Sequence, residues 1–369
     1  VRISGKRLNF GFDRFSGLYL WGLFILIFGI WEPRLFLTLG TVHSIASEQA
    51  VAALLGLAVV VPLATGAFDL SIGATANLSA VLVALLQSQQ HWSMWPAIAV
   101  ALLIGVLIGA VNGFIIVRLQ VNAFIATLGM ATIVGAAETI VSGNSQPQPP
   151  TSSAWARLTQ YQIFGFQALF FYVIIIALIS WWFLERTPAG RYMYATGGNG
   201  VAARLSGVRV GGWTWLSLIF SGTVAGLAGV LFSSQSGPSL TFGPALLLPA
   251  YAAAFLGSTQ LRPGRFNVWG TVLAVYVLAT GVFGVQLITS VQWLNDMFNG
   301  VALIVAVSFA VWRQRRARAD VTPAQPVESS PAESGPGAAG GGPRGSANGQ
   351  SPGLRSSPAG DSAAPGGGP

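Results

Sequence analysis

Cysteine is absent from this chain of 369 residues, so disulfides and thiol chemistry take no part in it, and redox usage leaves its compartment open. Histidine occurs only at His43 and His91, far apart and without a neighbouring carboxylate, which argues against a metal centre. No lysine follows Lys6, and no Gly-x-x-x-x-Gly-Lys-Ser/Thr run exists, which excludes a P-loop nucleotide site within the chain. An enzyme working inside a bilayer would need a nucleophile with its base or a cluster of metal ligands, and neither combination is present. The resulting expectation is a protein without catalytic residues, metal or cofactor.

What is abundant is apolar. Hydrophobic residues make up 53% and charged residues only 8%, with a mean hydropathy of +0.63, which places the chain among polytopic membrane proteins. The formal charge of +8 is therefore read as a membrane-topology signal rather than as a nucleic-acid footprint. Residues 1–16 form a basic arm ahead of the run GLYLWGLFILIFGIW, and Trp31, Glu32, Pro33 and Arg34 follow where a signal peptide would offer small residues, so the run is read as an uncleaved first span. Further spans are predicted near 42–65, 70–87, 95–117, 120–141, 164–184, 212–233, 245–257, 267–289 and 296–312. The eighth is short for a bilayer and is read as tilted or partly re-entrant.

The predicted fold is thus an all-α polytopic membrane protein of about ten transmembrane helices with broken or re-entrant segments. With the N terminus in the cytoplasm, fifteen of the nineteen basic residues fall on cytoplasmic segments and only Arg34 and Arg157 outside, Arg344 and Arg355 belonging to the tail. An even span number returns the C terminus to the cytoplasm. Tryptophans including Trp31, Trp92, Trp95, Trp181, Trp213 and Trp269 cluster at predicted span ends, where an amphipathic ring prefers the headgroup zone. Three parts follow: the arm 1–16, a transmembrane domain 17–312 with a cytoplasmic loop at 185–211, and a tail 313–369, poor in large apolar residues and expected to be disordered.

The longest polar interruption, TPAGRYMYATGGNGVAARLSGVRV at 187–210, carries three arginines and no acid. Within it Asn199 is placed to cap a short helix over Val201–Leu205, and Gly207 to end it. So short a helix is marginal alone and calls for a partner surface, although a solvated basic loop is the plainer reading. The spacing of Gly198, Gly200 and Ala203 brushes a dinucleotide fingerprint, but no strand precedes it and no acid follows at the right distance.

Small residues recur every fourth position: Gly105, Gly109 and Gly113 on the fourth span, Gly222 and Gly226 on the seventh, read as close helix packing. The stretch GAFDLSIGATANLSA at 66–80 punctuates a span with Asp69, Ser71, Asn77 and Ser79. Polar backbone breaks at membrane depth are tolerated where they line a cavity or are buried in protein. Asp69 is read as a cap at the inner edge of the third span, with Glu48, Glu138 and Asp296 toward the outer side, so that no acid is expected near the midplane.

GAFDLSIG, GAVNGFIIVRLQVNAFIATLGM (109–130), the 187–210 stretch and LPAYAAAFLGST (248–259), in this order, resemble the permease subunits of ribose-type ATP-binding cassette importers. The resemblance spans most of 45–310. It implies a multi-pass protein of the bacterial plasma membrane, a second permease subunit completing the pore as homo- or heterodimer, cytoplasmic ATPase subunits, and an extracytoplasmic solute-binding protein. The family's coupling pattern, Glu-Ala-Ala, three residues, Gly, is matched by Ala202, Ala203 and Gly207, with Val201 where Glu is frequent. Asn199, Val201, Ala202, Ala203, Arg204, Leu205 and Gly207 are therefore the expected ATPase-coupling residues. QLRPGRF at 260–266 departs from the glycine-rich turn of the sugar permeases. The resemblance also implies that spans two to five and seven to ten form an inverted pair.

With no acid expected at the midplane, the interior offers amides and hydroxyls. Asn77, Ser79, Asn112 and Thr127, with Phe124 nearby, are the candidate lining for a neutral polyhydroxy solute, most directly a monosaccharide. For each of them a hydrogen bond between packed helices is an equally good reading. The rival function is an ion-coupled secondary transporter of a small polar solute.

Overall fold

The structure, a computed structural model, describes residues 12–288, 291, 293–294, 297–305 and 307–308. Among these residues the chain is all-α apart from one two-stranded ribbon. The tail 313–369 and most of the arm 1–16 lie outside the described residues, as does part of the predicted tenth span, with Asp296.

Helix α1 (Phe12–Trp31) begins within the predicted arm, with non-helical backbone at Phe15. After the four-residue α2 (Pro33–Phe36), α3 (Leu39–Glu48) and α4 (Ala50–Ala64) follow one another with a bend of 44° between them. Then come α5 (Ile72–Ser88), α6 (Met94–Val117), α7 (Ala123–Ser142) and the short α8 (Ser153–Gln160). A hairpin pairs β1 (Gln162–Ile163) with β2 (Phe166–Gln167), turning through Phe164 and Gly165, both at positive φ. Helix α9 (Ala168–Trp181) runs on into a π-helical turn at Trp182–Arg186. After it follow α10 (Pro188–Gly198), α11 (Gly200–Leu205), α12 (Val210–Ser236), α13 (Phe242–Ser258) and α14 (Val268–Ile288).

Among the described residues five helices are long and apolar enough to cross a bilayer, or six if the bent pair α3 and α4 counts as one span. Gly17–Trp31, α5 and α13 are apolar but shorter. The helix over the eighth predicted span starts three residues earlier than the hydropathy placed it, at Phe242, with Pro244 in its first turn, where a missing N–H costs nothing.

The buried α4 and the long α12 form the centre, and apolar side chains of α5, α9, α13 and α14 pack on them. Glycine governs the closest crossing, as the four-residue spacing predicts. A Cβ on Gly105 would strike the Gly222 carbonyl, one on Gly109 the Leu218 carbonyl, and one on Gly113 the Trp215 ring, so α6 and α12 meet backbone to backbone.

Side-chain contacts sort the connections onto two ends of the bundle. At one end Glu185 pairs with Arg262 at 2.9 Å, Gly197 abuts Gly66, and the Gln260 side chain covers Gly17. At the other, Thr159 and Ser234 share a hydrogen bond of 2.9 Å, Gln235 donates to the Ser47 carbonyl, and His43 lies edge-on to Phe166.

Candidate coupling and translocation sites

The polar stretch after α9 is helical for most of its length. Thr187 caps α10, its hydroxyl accepting from Gly190 N–H, and Pro188 occupies the first turn, where its missing N–H costs nothing. This Thr-Pro signal was available in the sequence, yet the stretch up to Gly198 was read as loop. The following short helix obeys its own signals. Asn199 Oδ1 accepts from Ala202 N–H at 3.0 Å, and at the other end Gly207 N–H donates to Arg204 and Val208 N–H to Ala203, each at 3.0 Å, with Gly207 at φ +83°. That is a Schellman closure, which a residue with a Cβ would strain.

Capped at both ends, α11 presents one face outward. Val201 is 73% exposed and Leu205 86%, with Ala202 and Arg204 exposed beside them, whereas Ala203 is only 6% exposed and points into the chain. Two large apolar side chains exposed on a doubly capped turn make a surface suited to a complementary groove.

The departing loop QLRPGRF is tied to the same unit. Arg262 pairs with the nearly buried Glu185, Arg265 lies 3.6 Å over the Tyr194 ring, and Tyr194 donates its hydroxyl to the Phe266 carbonyl at 2.6 Å. Burial raises the Tyr194 phenol above its ordinary range, partly offset by the Arg265 charge, so it remains a neutral donor. Nothing local in either stretch signals this contact; the structure joins them.

The candidate lining residues form a buried network. Asn112 donates to the Ser71 hydroxyl at 2.9 Å, and Ser71 donates its hydroxyl at 2.6 Å and its N–H at 3.1 Å to Asp69 Oδ1. Tyr251 of α13 accepts from Asp69 N–H at 2.9 Å, and Thr127 accepts from Leu70 N–H at 3.0 Å while donating to the Ala123 carbonyl. Asn77 Oδ1 accepts from Gly243 N–H at 2.7 Å, and Ser79 donates to the Ala101 carbonyl at 3.3 Å. Asn77, Ser79, Asn112 and Thr127 are all buried, whereas Phe124 is 51% exposed next to Asn122, which caps α7. The structure thus brings Asn112 and Thr127 to one turn, at 68–71, holds Asn77 and Ser79 on α5, and leaves Phe124 on the outer surface of α7.

Two of the acids are buried in the chain. Asp69 was expected as a cap at a span edge; it does support the Ser71 N–H, but it is fully buried at the level of Tyr251, partway along α13. Its Oδ2 makes no hydrogen bond and has the Ser221 hydroxyl of α12 as neighbour. Glu138 is also buried, against Asn77. No groups of three or more His, Cys, Asp or Glu are placed to hold a metal among the described residues.

Residues 41–307 match the family described as "Branched-chain amino acid transport system / permease component". The chain is 29% identical over 306 residues to the fructose import permease protein FrcC of Rhizobium meliloti, covering 80% of this chain and 84% of that protein. It is 32% identical over 271 residues to the autoinducer 2 import system permease protein LsrC of an Enterobacter species, covering 73% and 78%. With LsrD of Photorhabdus laumondii it shares 27% over 292 residues. No solved structure matches it. The chain belongs to this permease family: it is the membrane subunit of an ATP-binding cassette importer, a transport component rather than an enzyme, and a multi-pass protein of the bacterial inner membrane.

Proposed function

We propose that this permease carries a neutral small solute, most directly a monosaccharide, into the cell, driven by cytoplasmic ATPase subunits that grip α11. The observation that carries the coupling reading is the doubly capped helix with Val201 and Leu205 exposed on one face. Asn199 and Gly207 fix its ends, Ala202 and Arg204 complete the contact face, and Ala203 seats it on the chain. Because α10, α11 and the 260–266 loop are linked, a push on α11 is delivered to the start of α12 and the end of α13 together.

The same reading takes the arm 1–16, the 185–211 unit and the tail 313–369 as cytoplasmic, with ten spans over 17–312. The basic-residue bias supports it, and so does the gathering of Gly17, Gly66, Gly197 and Gln260 at one end of the bundle. A second permease subunit, identical or related, completes the pore, and an extracytoplasmic binding protein delivers solute at the end that carries α8 and the hairpin.

Relatives named for fructose and autoinducer 2 favour a polar solute. Asn77, Ser79, Asn112 and Thr127 are assigned to the pathway wall with Phe124 at its flank. Each of the four is buried and engaged in a helix contact, so a solute would reach them only where those contacts open, and their amides and hydroxyls could then exchange hydrogen bonds with a neutral polyol. Vesicles reconstituted with permease, ATPase and binding protein test the whole: uptake should require ATP and survive dissipation of proton and sodium gradients. Uptake that continues without ATP but collapses with a gradient would establish the secondary-transporter alternative.

A further inference from the structure

Between α1, α3, α9 and α14 lies a groove of about 800 Å³ with an almost wholly apolar wall. Its walls share no residue with the proposed pathway. The volume is far larger than the roughly 30 Å³ share of one water, and an apolar cavity of this kind does not hold water.

The four hydroxyls in the wall all donate inside the chain. Thr38 and Thr41 donate to the Leu35 carbonyl, Tyr276 donates to the Ala46 carbonyl at 3.3 Å, and Thr280 donates to the Tyr276 carbonyl at 2.7 Å. Trp21 closes the set by donating its indole N–H to Thr280 at 2.9 Å. A sugar in this groove would lose its hydration against a wall that offers only the spare acceptor lone pairs of a few hydroxyls, far fewer partners than its own hydroxyls need. Hydrocarbon suffers no such loss.

The shape selects the hydrocarbon. Along α14 the wall runs from Trp269 to Thr280, eleven steps or roughly 16 Å at 1.5 Å per residue, about half of the ~30 Å hydrocarbon core of a bilayer. That is the reach of one acyl chain in one leaflet. The mouth is edged by Ile25, Leu37, Leu39 and Val42, all substantially exposed, as residues facing lipid are. Arg34 is exposed on α2, two residues from Phe36 of the wall, where it offers a cation to a headgroup phosphate.

We propose that this groove holds one acyl chain of a bilayer phospholipid, filling the gap between α1 and the helices behind it. The site is independent of the transported solute, so it can fail while the transport reading stands, and the converse holds. Native mass spectrometry of the purified full chain after delipidation tests it. Wild type should retain one phospholipid, Ile174→Trp, which fills the groove, should lower that occupancy at least fivefold, and Ile175→Trp on the outward face of the same helix should leave it unchanged. In native membranes, a phospholipid bearing a photoreactive group on its acyl chain should label α9 and α14 peptides of the wall, and the label should be lost in Ile174→Trp. Retention of detergent only, equal retention by Ile174→Trp, or label confined to outward faces would overturn the proposal.

Discussion

The Cα of Gly197, near the end of α10, lies 3.5 Å from where a Cβ on Gly66 would stand. Gly66 itself is at φ +81°, and a Cβ on Gly197 would run into the Ala64 carbonyl. The unit carrying α11 therefore rests directly on the turn that leads, three residues later, to Asp69 and the network of Ser71, Asn112 and Thr127. Gly197→Ala should displace that turn at a cost of about 1–3 kcal/mol, the usual range for overpacking. The expected outcome is a permease that inserts normally but takes up solute about tenfold more slowly, measured as uptake per inserted copy. Wild-type uptake by Gly197→Ala would mean that the contact transmits nothing.

The outward face of α11 gives a sharper test of docking than its inner side. Val201→Asp and Leu205→Asp place a charge where the chain itself has no contact to lose, so thermal stability and insertion should hold. A carboxylate buried in a partner's groove costs several kcal/mol, enough to lower ATPase copurification and uptake by at least about tenfold. Ala203→Asp is the poorer probe, because Ala203 is buried against its own chain and the change would destabilise the permease first. Undiminished copurification of the ATPase with both outward variants would count against docking here.

Helix α11 was legible in the sequence because its determinants are local: an amide three residues before the N–H it accepts, and a glycine where φ must be positive. Five of the predicted spans were legible because each is an apolar run of near bilayer length, and the packing faces of α6 and α12 because their small residues repeat every fourth position. Helix α10 was missed because Gly190, Gly197 and Gly198 lower its helix propensity, and packing against the preceding turn outweighs that cost. The burial of Asp69 was not legible for a different reason: its N–H is held by Tyr251, which is 182 residues distant. The same holds for Asn77, whose partner Gly243 is 166 residues away. No window of local pattern contains either pair.

Sidedness can be read directly in a chain without native thiols. Cysteine at the exposed Ser206 should react with an impermeant maleimide only from the cytoplasmic side, and cysteine at the exposed Thr151 only from outside. Thr151 is preferred to its neighbour because Ser152 caps α8 by accepting from Trp155 N–H. The reverse labelling pattern would invert the proposed topology.

The last expectation concerns what energises transport, and it turns on Asp69. A buried carboxyl with one free oxygen is the kind of group an ion-coupled transporter uses, so its presence deep in the chain reopens a question that its expected place at a span edge had closed. Its geometry argues for a structural role. Oδ1 takes two bonds from Ser71, its own N–H is held by Tyr251, and the Asn112 amide closes the set, so the side chain organises the turn between α4 and α5. Asp69→Asn preserves size and the acceptor for the Ser71 N–H while removing the charge. If Asp69 is structural, the variant should lose about 1 kcal/mol of stability, the worth of one ordinary hydrogen bond, and retain ATP-dependent uptake that ignores proton and sodium gradients, as in wild type. An ion relay predicts the opposite: gradient-dependent uptake in wild type, abolished in Asp69→Asn with the fold intact. Measuring both proteins in the same vesicles, with ATP and gradients varied separately, separates a carboxylate that shapes the turn from one that carries the coupling ion.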